Sequence, residues 1–308
     1  MTAHIVTAQA FQTPGRIAAG TVLTPDLAAS LADYTGVLGL EVIDDSPISP
    51  QEAASWAAPA MAGRPARLLR APHATPYVTR LIAATPVPGY RPLKTFGWAA
   101  YEHSVVDCDA LFAKMPGSGF TVIGEPKLVP GFDNFIPFQV TGRAGETLYL
   151  NQVLNGSMSD LDLPNTRASV DQMFIAVLAA RDREATLAFH TKMLGFEQGE
   201  TWVIPYSVIN NSFGLPPETT TAMTMTKTGR IPASEVDQYP EAATPRPTAP
   251  GELPPGNAIV SFLTKSLDAV AAPLLGPVLH RDGPLYAGRR SAAVRGPSGE
   301  IIELIEAA

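Results

Sequence analysis

Leu194-Gly195-Phe196 closes an apolar, helix-like stretch, and Leu38-Gly39-Leu40 closes another, at an offset of 194 − 38 = 156 residues. A second pair keeps nearly the same distance. Gly299-Glu300-Ile301-Ile302-Glu303-Leu304 answers Gly145-Glu146-Thr147-Leu148-Tyr149-Leu150, with 299 − 145 = 154. A fixed internal period means one architectural unit built twice. It also supplies an internal alignment, in which functional residues are sought where the copies differ.

Outward from these anchors, each half divides again. The stretch 26–34 reads as a helix capped by Thr24 or Asp26, with Leu27, Leu31 and Tyr34 on one face and Gly39 as its stop. Residues 17–23 before it, and 66–69 and 77–83 after it, read as strands. The pattern restarts with strand 98–106, helix 107–115 and strands 135–140 and 147–153. The second half runs through strand 173–178, helix 182–193 and strands 203–209 and 220–226. Strand 258–263, helix 267–275 and strands 291–295 and 300–305 close it.

The order strand-helix-strand-strand-strand thus recurs four times. It predicts an α+β protein of four βαβββ modules paired into two tandem domains, residues 1–155 and 172–308, joined by a polar linker over 156–171. Residues 229–256 carry seven prolines, from Pro232 to Pro255. They read as a long loop, either a lid or partner contact or a tolerated surface insertion.

Composition narrows the function. The chain has 308 residues, 45% hydrophobic and 17% charged, a globular balance. A net charge of −7 without a run of Lys or Arg argues against nucleic acid as a partner. No apolar run reaches membrane-spanning length. The first twenty residues lack a basic segment followed by an apolar core, so a cytoplasmic location is expected. One cysteine, Cys108, excludes internal disulfides and a cysteine-rich metal site. Its neighbours Asp107 and Asp109 oppose a thiolate.

Asp182, Phe189-His190, Leu194-Gly195-Phe196 and the run from Gly296-Pro297-Ser298-Gly299-Glu300 to Leu304 together resemble the vicinal oxygen chelate superfamily. That superfamily holds glyoxalases, extradiol ring-cleaving dioxygenases, epimerases and drug-binding resistance proteins. The first half shows Asp26, Tyr34, Leu38-Gly39 and Gly145-Glu146 in the same places. The resemblance implies sheets curled into bowls. In active members it also implies a divalent metal, held from the first, restart and last strands of a domain.

Carried over one at a time, the last-strand place of the second half is Glu303. The first-strand place, seven residues before Asp182, is Ile175, and the restart place, seven before Ser266, is Ile259. The first half offers Ala19, Ala100 and Tyr149. A lone carboxylate does not hold a transition metal tightly. The expectation is therefore a bowl without the family's metal and no cofactor. Functions vary so widely on this fold that it says little of activity by itself.

The remaining polar residues suggest chemistry. Glu303 stands on an apolar strand, where burial raises a carboxyl pKa and suits a general acid or base. A structural ion pair with an arginine is the equal alternative. The stretch 280–290 gathers His280, Tyr286, Arg289 and Arg290 beside glycines. Arginine is the usual partner of a substrate carboxylate, and Arg290 is favoured. His190, Tyr206 and Asn210 complete the candidate substrate contacts, although a helix histidine such as His190 is more often a packed core residue. Glu102 and Ser104 share the face of Ala100, and Arg70, His73, Tyr77 and Arg80 form a second polar cluster.

The expected function is a metal-independent lyase, decarboxylase included, or isomerase. Its substrate is a small, largely apolar aromatic acid or phenol. Glu303 or His280 moves a proton while Tyr286 and Arg290 hold the anion. The alternatives are a protein that sequesters a hydrophobic small molecule and a metal enzyme with unusual ligands, such as Glu303 with His280 or His190. A homodimer is compatible with either.

Overall fold

The computed structural model describes residues 13–72, 75–128, 134–154, 157–158 and 160–307. Four βαβββ modules follow one another. The first contains β1 (Ile17–Thr24), α1 (Leu27–Gly36), β2 (Glu41–Asp44), α2 (Pro50–Ser55), β3 (Ala66–Arg70) and β4 (Val78–Ala83). The second contains β5 (Gly97–Val105), α3 (Cys108–Phe112), β6 (Thr121–Gly124), β7 (Phe135–Thr141) and β8 (Thr147–Val153). A small hairpin, β9 (Ser157–Met158) and β10 (Leu161–Asp162), leads to the third. That module contains β11 (Val170–Ala180), α4 (Arg183–Leu194), β12 (Glu197–Pro205), α5 (Ser207–Phe213), β13 (Thr220–Thr228) and β14 (Ile231–Gln238). The fourth contains β15 (Gly256–Thr264), one 3-10 turn (Leu267–Ala269), β16 (Leu279–Arg281), β17 (Arg289–Arg295) and β18 (Ile301–Glu306).

The same cap opens each module's helical segment. Asp26, Asp107 and Asp182 accept the amides of Ala29, Ala110 and Ala185 at 3.0, 2.9 and 3.0 Å. Ser266 accepts that of Asp268 at 3.2 Å. Each cap satisfies an amide that the first turn leaves without a partner. Gly195 ends α4 in the left-handed conformation, φ 81°, which glycine adopts without a Cβ clash. In the fourth module the helix expected over 267–275 stops after its first turn. Pro273 has no amide to give and disfavours helix in the residue before it.

The modules make two eight-stranded sheets, and they pair across the sequence. One sheet runs β16-β17-β18-β15-β1-β4-β3-β2 and joins the fourth module to the first. The other runs β12-β13-β14-β11-β5-β8-β7-β6 and joins the third to the second. A division at 156–171 therefore separates the two repeats, but not the two sheets. A repeat period identifies units and carries no information on which units pair. In each sheet the two first strands meet antiparallel at the centre, β1 with β15 and β5 with β11. Each closing strand lies parallel to its own first strand.

The principal core lies between the sheets. Val22, Val260, Phe262 and Ile302 of one meet Tyr101, Met173, Ala176 and Leu178 of the other. The Tyr101 hydroxyl lies 2.9 Å from the carbonyl oxygens of both Thr21 and Ile259. Trp98 Nε1 donates to the Ile301 carbonyl at 2.8 Å. A Cβ at Gly20 would come within 2.7 Å of the Tyr77 hydroxyl and 3.1 Å of Tyr101, so this close approach requires glycine. Strand alternation turns the opposite face of each sheet into a bowl.

Three further expectations change. Residues 229–256 are not a loop throughout, because β14 is a buried strand within the second sheet. Pro232 lies within it, and the other six prolines follow in a segment fixed by Arg246, which donates to the carbonyls of Trp98 and Asn257, both at 2.7 Å. The strand expected over 203–209 ends at Pro205, and Tyr206 caps α5. Asn210 is thus buried on a helix and spends its amide on the carbonyls of Pro217 and Thr219. Among the described residues, no helix is long and apolar enough to cross a membrane.

Candidate functional site

The register sets four inward positions at the centre of each bowl. In the first bowl, Thr21 of β1 pairs with Arg80 of β4, and Ser261 of β15 with Glu303 of β18. In the second, Glu102 of β5 pairs with Tyr149 of β8, and Val177 of β11 with Glu235 of β14. The first-strand members all stand five residues before a helix cap, not seven. The places read from the sequence, Ala19, Ala100, Ile175 and Ile259, lie two residues away on the same faces.

In the first bowl Glu303 is fully engaged. Its Oε1 accepts from Arg281 at 2.7 Å, Tyr286 at 3.0 Å and Trp56 at 3.1 Å. Its Oε2 accepts from Ser261 at 2.6 Å and Arg80 at 3.3 Å. Arg80 also donates to Thr21 at 2.9 Å and to the Tyr286 hydroxyl at 2.7 Å, and stacks on Trp56 at 4.6 Å. Arg281 reaches on to Glu52.

Burial alone would raise the Glu303 pKa. The guanidinium groups of Arg80 and Arg281 outweigh it, with Ser261 and Trp56 adding donors, and bring the pKa down to about 2. A carboxylate so held is a fixed anion, which overturns its expected role as a proton carrier with a raised pKa.

The other sequence candidates around it scatter. Tyr286 belongs to the Glu303 network, and burial raises its pKa. His280 is exposed at the rim of a cavity of about 590 Å³ above the network. Arg290 pairs with Asp268 at 2.7 Å and Glu306 at 3.1 Å, away from the bowl. Arg289 donates to the carbonyls of Leu285 and Tyr286. His190 is a core residue, with Nδ1 3.2 Å from Ser234 Oγ and Nε2 3.7 Å from Glu300 Oε1. Its counterpart in the first half is Tyr34, which donates to Glu146 at 3.2 Å. The polar cluster around Arg70 splits. Arg80 joins the Glu303 network, while His73 lies outside the described residues.

The second bowl has the opposite character. Its cavity is about 150 Å³, walled by Phe135, Leu161, Phe174, Ile175, Trp202 and Met223. Its floor carries Glu102, Asn151 and Glu235, with Tyr149 and Tyr206 beside them. Asn151 Nδ2 donates to Glu102 at 2.9 Å. The Tyr206 hydroxyl donates to Glu235 at 3.1 Å and lies 3.4 Å from that of Tyr149. Asp237, two residues along β14, is buried, and neither of its oxygens meets a hydrogen-bond donor.

Among the described residues, no guanidinium offsets this cluster. Burial raises the Glu235 pKa to about 7, with Tyr206 and the proton of Asp237 pulling the other way. Burial and then the charge of Glu235 hold Glu102 and Asp237 well above the usual carboxylate range.

Glu102 and Tyr206 were within reach of the sequence; Glu235 and Asp237 were not found there, because their strand was read as loop. A signal existed. The third module's last expected strand ends at 226 and the restart comes at 258, an interval longer than those at 84–97 and 154–172 and long enough for a further strand. The alternation Ala233-Glu235-Asp237 places the carboxyls on one face of such a strand.

The residues do not fit the family's metal in either bowl. In the first, a guanidinium occupies one of the four positions and already neutralises the one carboxylate. In the second, Val177 and Tyr149 occupy two of the four. Among the described residues, no three His, Cys, Asp or Glu side chains are arranged to hold a metal ion.

Comparison with known proteins agrees with the fold. The Glyoxalase/Bleomycin resistance protein/Dioxygenase superfamily matches residues 15–143, from β1 through β7. Glyoxalase I from Zea mays is similar in structure, with a TM-score of 0.60 at 14% identity, over 94% of this chain and 92% of that one. A putative dioxygenase from Bacillus subtilis gives 0.59 at 8% identity, over 96% and 86%. No curated protein sequence matches. At such identities the likeness establishes the tandem glyoxalase-like fold, and activity has to be argued from the site.

Proposed function

We propose that this glyoxalase-fold protein is an acid–base enzyme of the lyase or isomerase type that works in its second bowl. Glu235 is the group that moves the proton. The observation carrying this reading is a carboxyl with a pKa of about 7 on the floor of a mostly apolar cavity. A general acid or base works best when its pKa lies near the working pH. Tyr206 fixes the carboxyl through its 3.1 Å hydrogen bond, while burial makes Glu235 keep its proton. The aromatic walls exclude water. A volume near 150 Å³ suits a single benzene-sized ring.

The Glu303 network supports the neighbouring sheet and moves no proton. The test is isotope exchange: small cyclic and aromatic carbonyl compounds are incubated in D2O with the protein and followed by proton NMR. Wild type is expected to exchange or convert at least one of them, and Glu235→Gln none. Equal rates in the two proteins would overturn the assignment. Binding in this bowl without exchange of any compound would instead mark a sequestering protein.

A further inference from the structure

The sequence led to an anionic substrate, but the floor of the second bowl has the wrong sign for one. The groups that face it are Glu102 from β5, Tyr149 and Asn151 from β8, Tyr206 from the start of α5 and Glu235 from β14, with Asp237 behind. Asn151 spends its amide on Glu102, which leaves its Oδ1 buried without a donor. Asn151 Oδ1 is therefore an acceptor open to a ligand on this floor, beside the carboxyl groups of Glu102 and Glu235. The one cation on the described lining, Lys127, is exposed. Arg290, the expected anion clamp, is committed to Asp268 and Glu306 on the other sheet.

A buried acceptor without a donor is unfavourable until a ligand supplies one. An ammonium group has three donors and a charge that the two carboxyls lack. Phe174, Trp202 and Tyr206 add the aromatic faces that attract a cation.

Resting on the second bowl as the ligand site, we infer that its ligand is a primary amine on a benzene-sized apolar body. The ammonium sits between Glu102, Glu235 and Asn151 Oδ1. Its arrival favours the ionised carboxyls, so binding releases protons below neutrality and leaves Glu235 as a base.

Calorimetry on the full chain tests this with benzylammonium, benzyl alcohol and benzoate, three probes of one size and different charge. At pH 8, benzylammonium is expected to bind about tenfold or more tighter than benzyl alcohol, and benzoate least of all. At pH 5 that preference is expected to shrink. Repeating the pH 6 titration in buffers of different ionisation enthalpy is expected to show proton release. Absence of benzylammonium binding, or an alcohol or benzoate that binds as tightly, overturns the inference without recourse to any variant. A preference that survives Glu102→Gln with Glu235→Gln overturns it as well. Isotope exchange without amine preference removes this inference and keeps the proton-transfer reading. Amine preference without exchange does the reverse.

Discussion

The two bowls occupy equivalent places in two similar sheets, yet they treat a buried carboxyl in opposite ways. Glu303 and Glu235 both stand on closing strands, at the register position facing the bowl's centre. Both are buried. One is held down at about 2 and the other raised to about 7. The difference is the location of the cations. Arg80 and Arg281 flank Glu303, whereas Glu235 has Glu102 and Asp237 for neighbours. Burial raises both carboxyls, and the rise is reversed only where guanidinium groups stand beside one.

The sharpest way to break this comparison is to remove each carboxyl in turn. Glu235→Gln is expected to lower turnover by about 10²–10⁴-fold, the usual range for a general acid or base. It should leave the melting temperature at neutral pH no lower than wild type. An equal loss of turnover in Glu303→Gln, with Glu235→Gln unaffected, would exchange the roles of the bowls.

Glu303→Ala strands two buried guanidinium groups, and breaking such a pair costs about 3–5 kcal/mol of stability. Urea unfolding followed by circular dichroism measures it. A loss below about 1 kcal/mol, the size of a surface pair, would show that the network is dispensable.

The pH dependence of stability separates the bowls further. The raised Glu235 pKa means that the folded protein holds this proton more tightly than the unfolded chain. Its stabilising contribution is complete below the ordinary carboxyl value of about 4.3 and is lost as pH rises through about 7. Glu303 behaves in the opposite sense. Its contribution is present above the ordinary value and is lost as pH falls through about 2. Glu235→Gln is therefore expected to be more stable than wild type at pH 8, by up to about 3 kcal/mol, and no different at pH 4. Melting curves at the two pH values decide it, and a constant difference would mean that Glu235 does not titrate in this window.

The smallest change concerns Tyr206. In Tyr206→Phe the ionised carboxyl loses a donor, so the midpoint of the pH–rate profile is expected to move upward by about half to one unit. A downward shift would mean that the hydroxyl serves the protonated carboxyl instead.

Much of this architecture is legible in the chain. The period, the Asp caps and the Gly-Glu turns identify four modules and their kinship. The pairing of modules was not legible, because β1 meets β15 across more than two hundred residues of chain and no local pattern records that contact. The second bowl's floor was hidden for a different reason. Glu235 and Asp237 sit in a buried strand, where carboxyls are rare and make the segment look solvated. The sign of the Glu303 shift depended on Arg80 and Arg281, 223 and 22 residues before it in the chain, which the sheet brings together.

The nested pairing of the sheets also orders the birth of the protein. The modules of the second sheet are consecutive, from Gly97 to Gln238, so all of its strands are synthesised before the fourth module, which starts at Gly256. The first sheet needs both the first and the fourth module and must wait for Glu306. Its early half, β1 to β4, then leaves the central edge of β1 open until the fourth module arrives to cover it. An unpaired edge is where chains mispair. The second bowl is thus built from consecutive modules, and the ion-paired bowl joins the modules on either side of them.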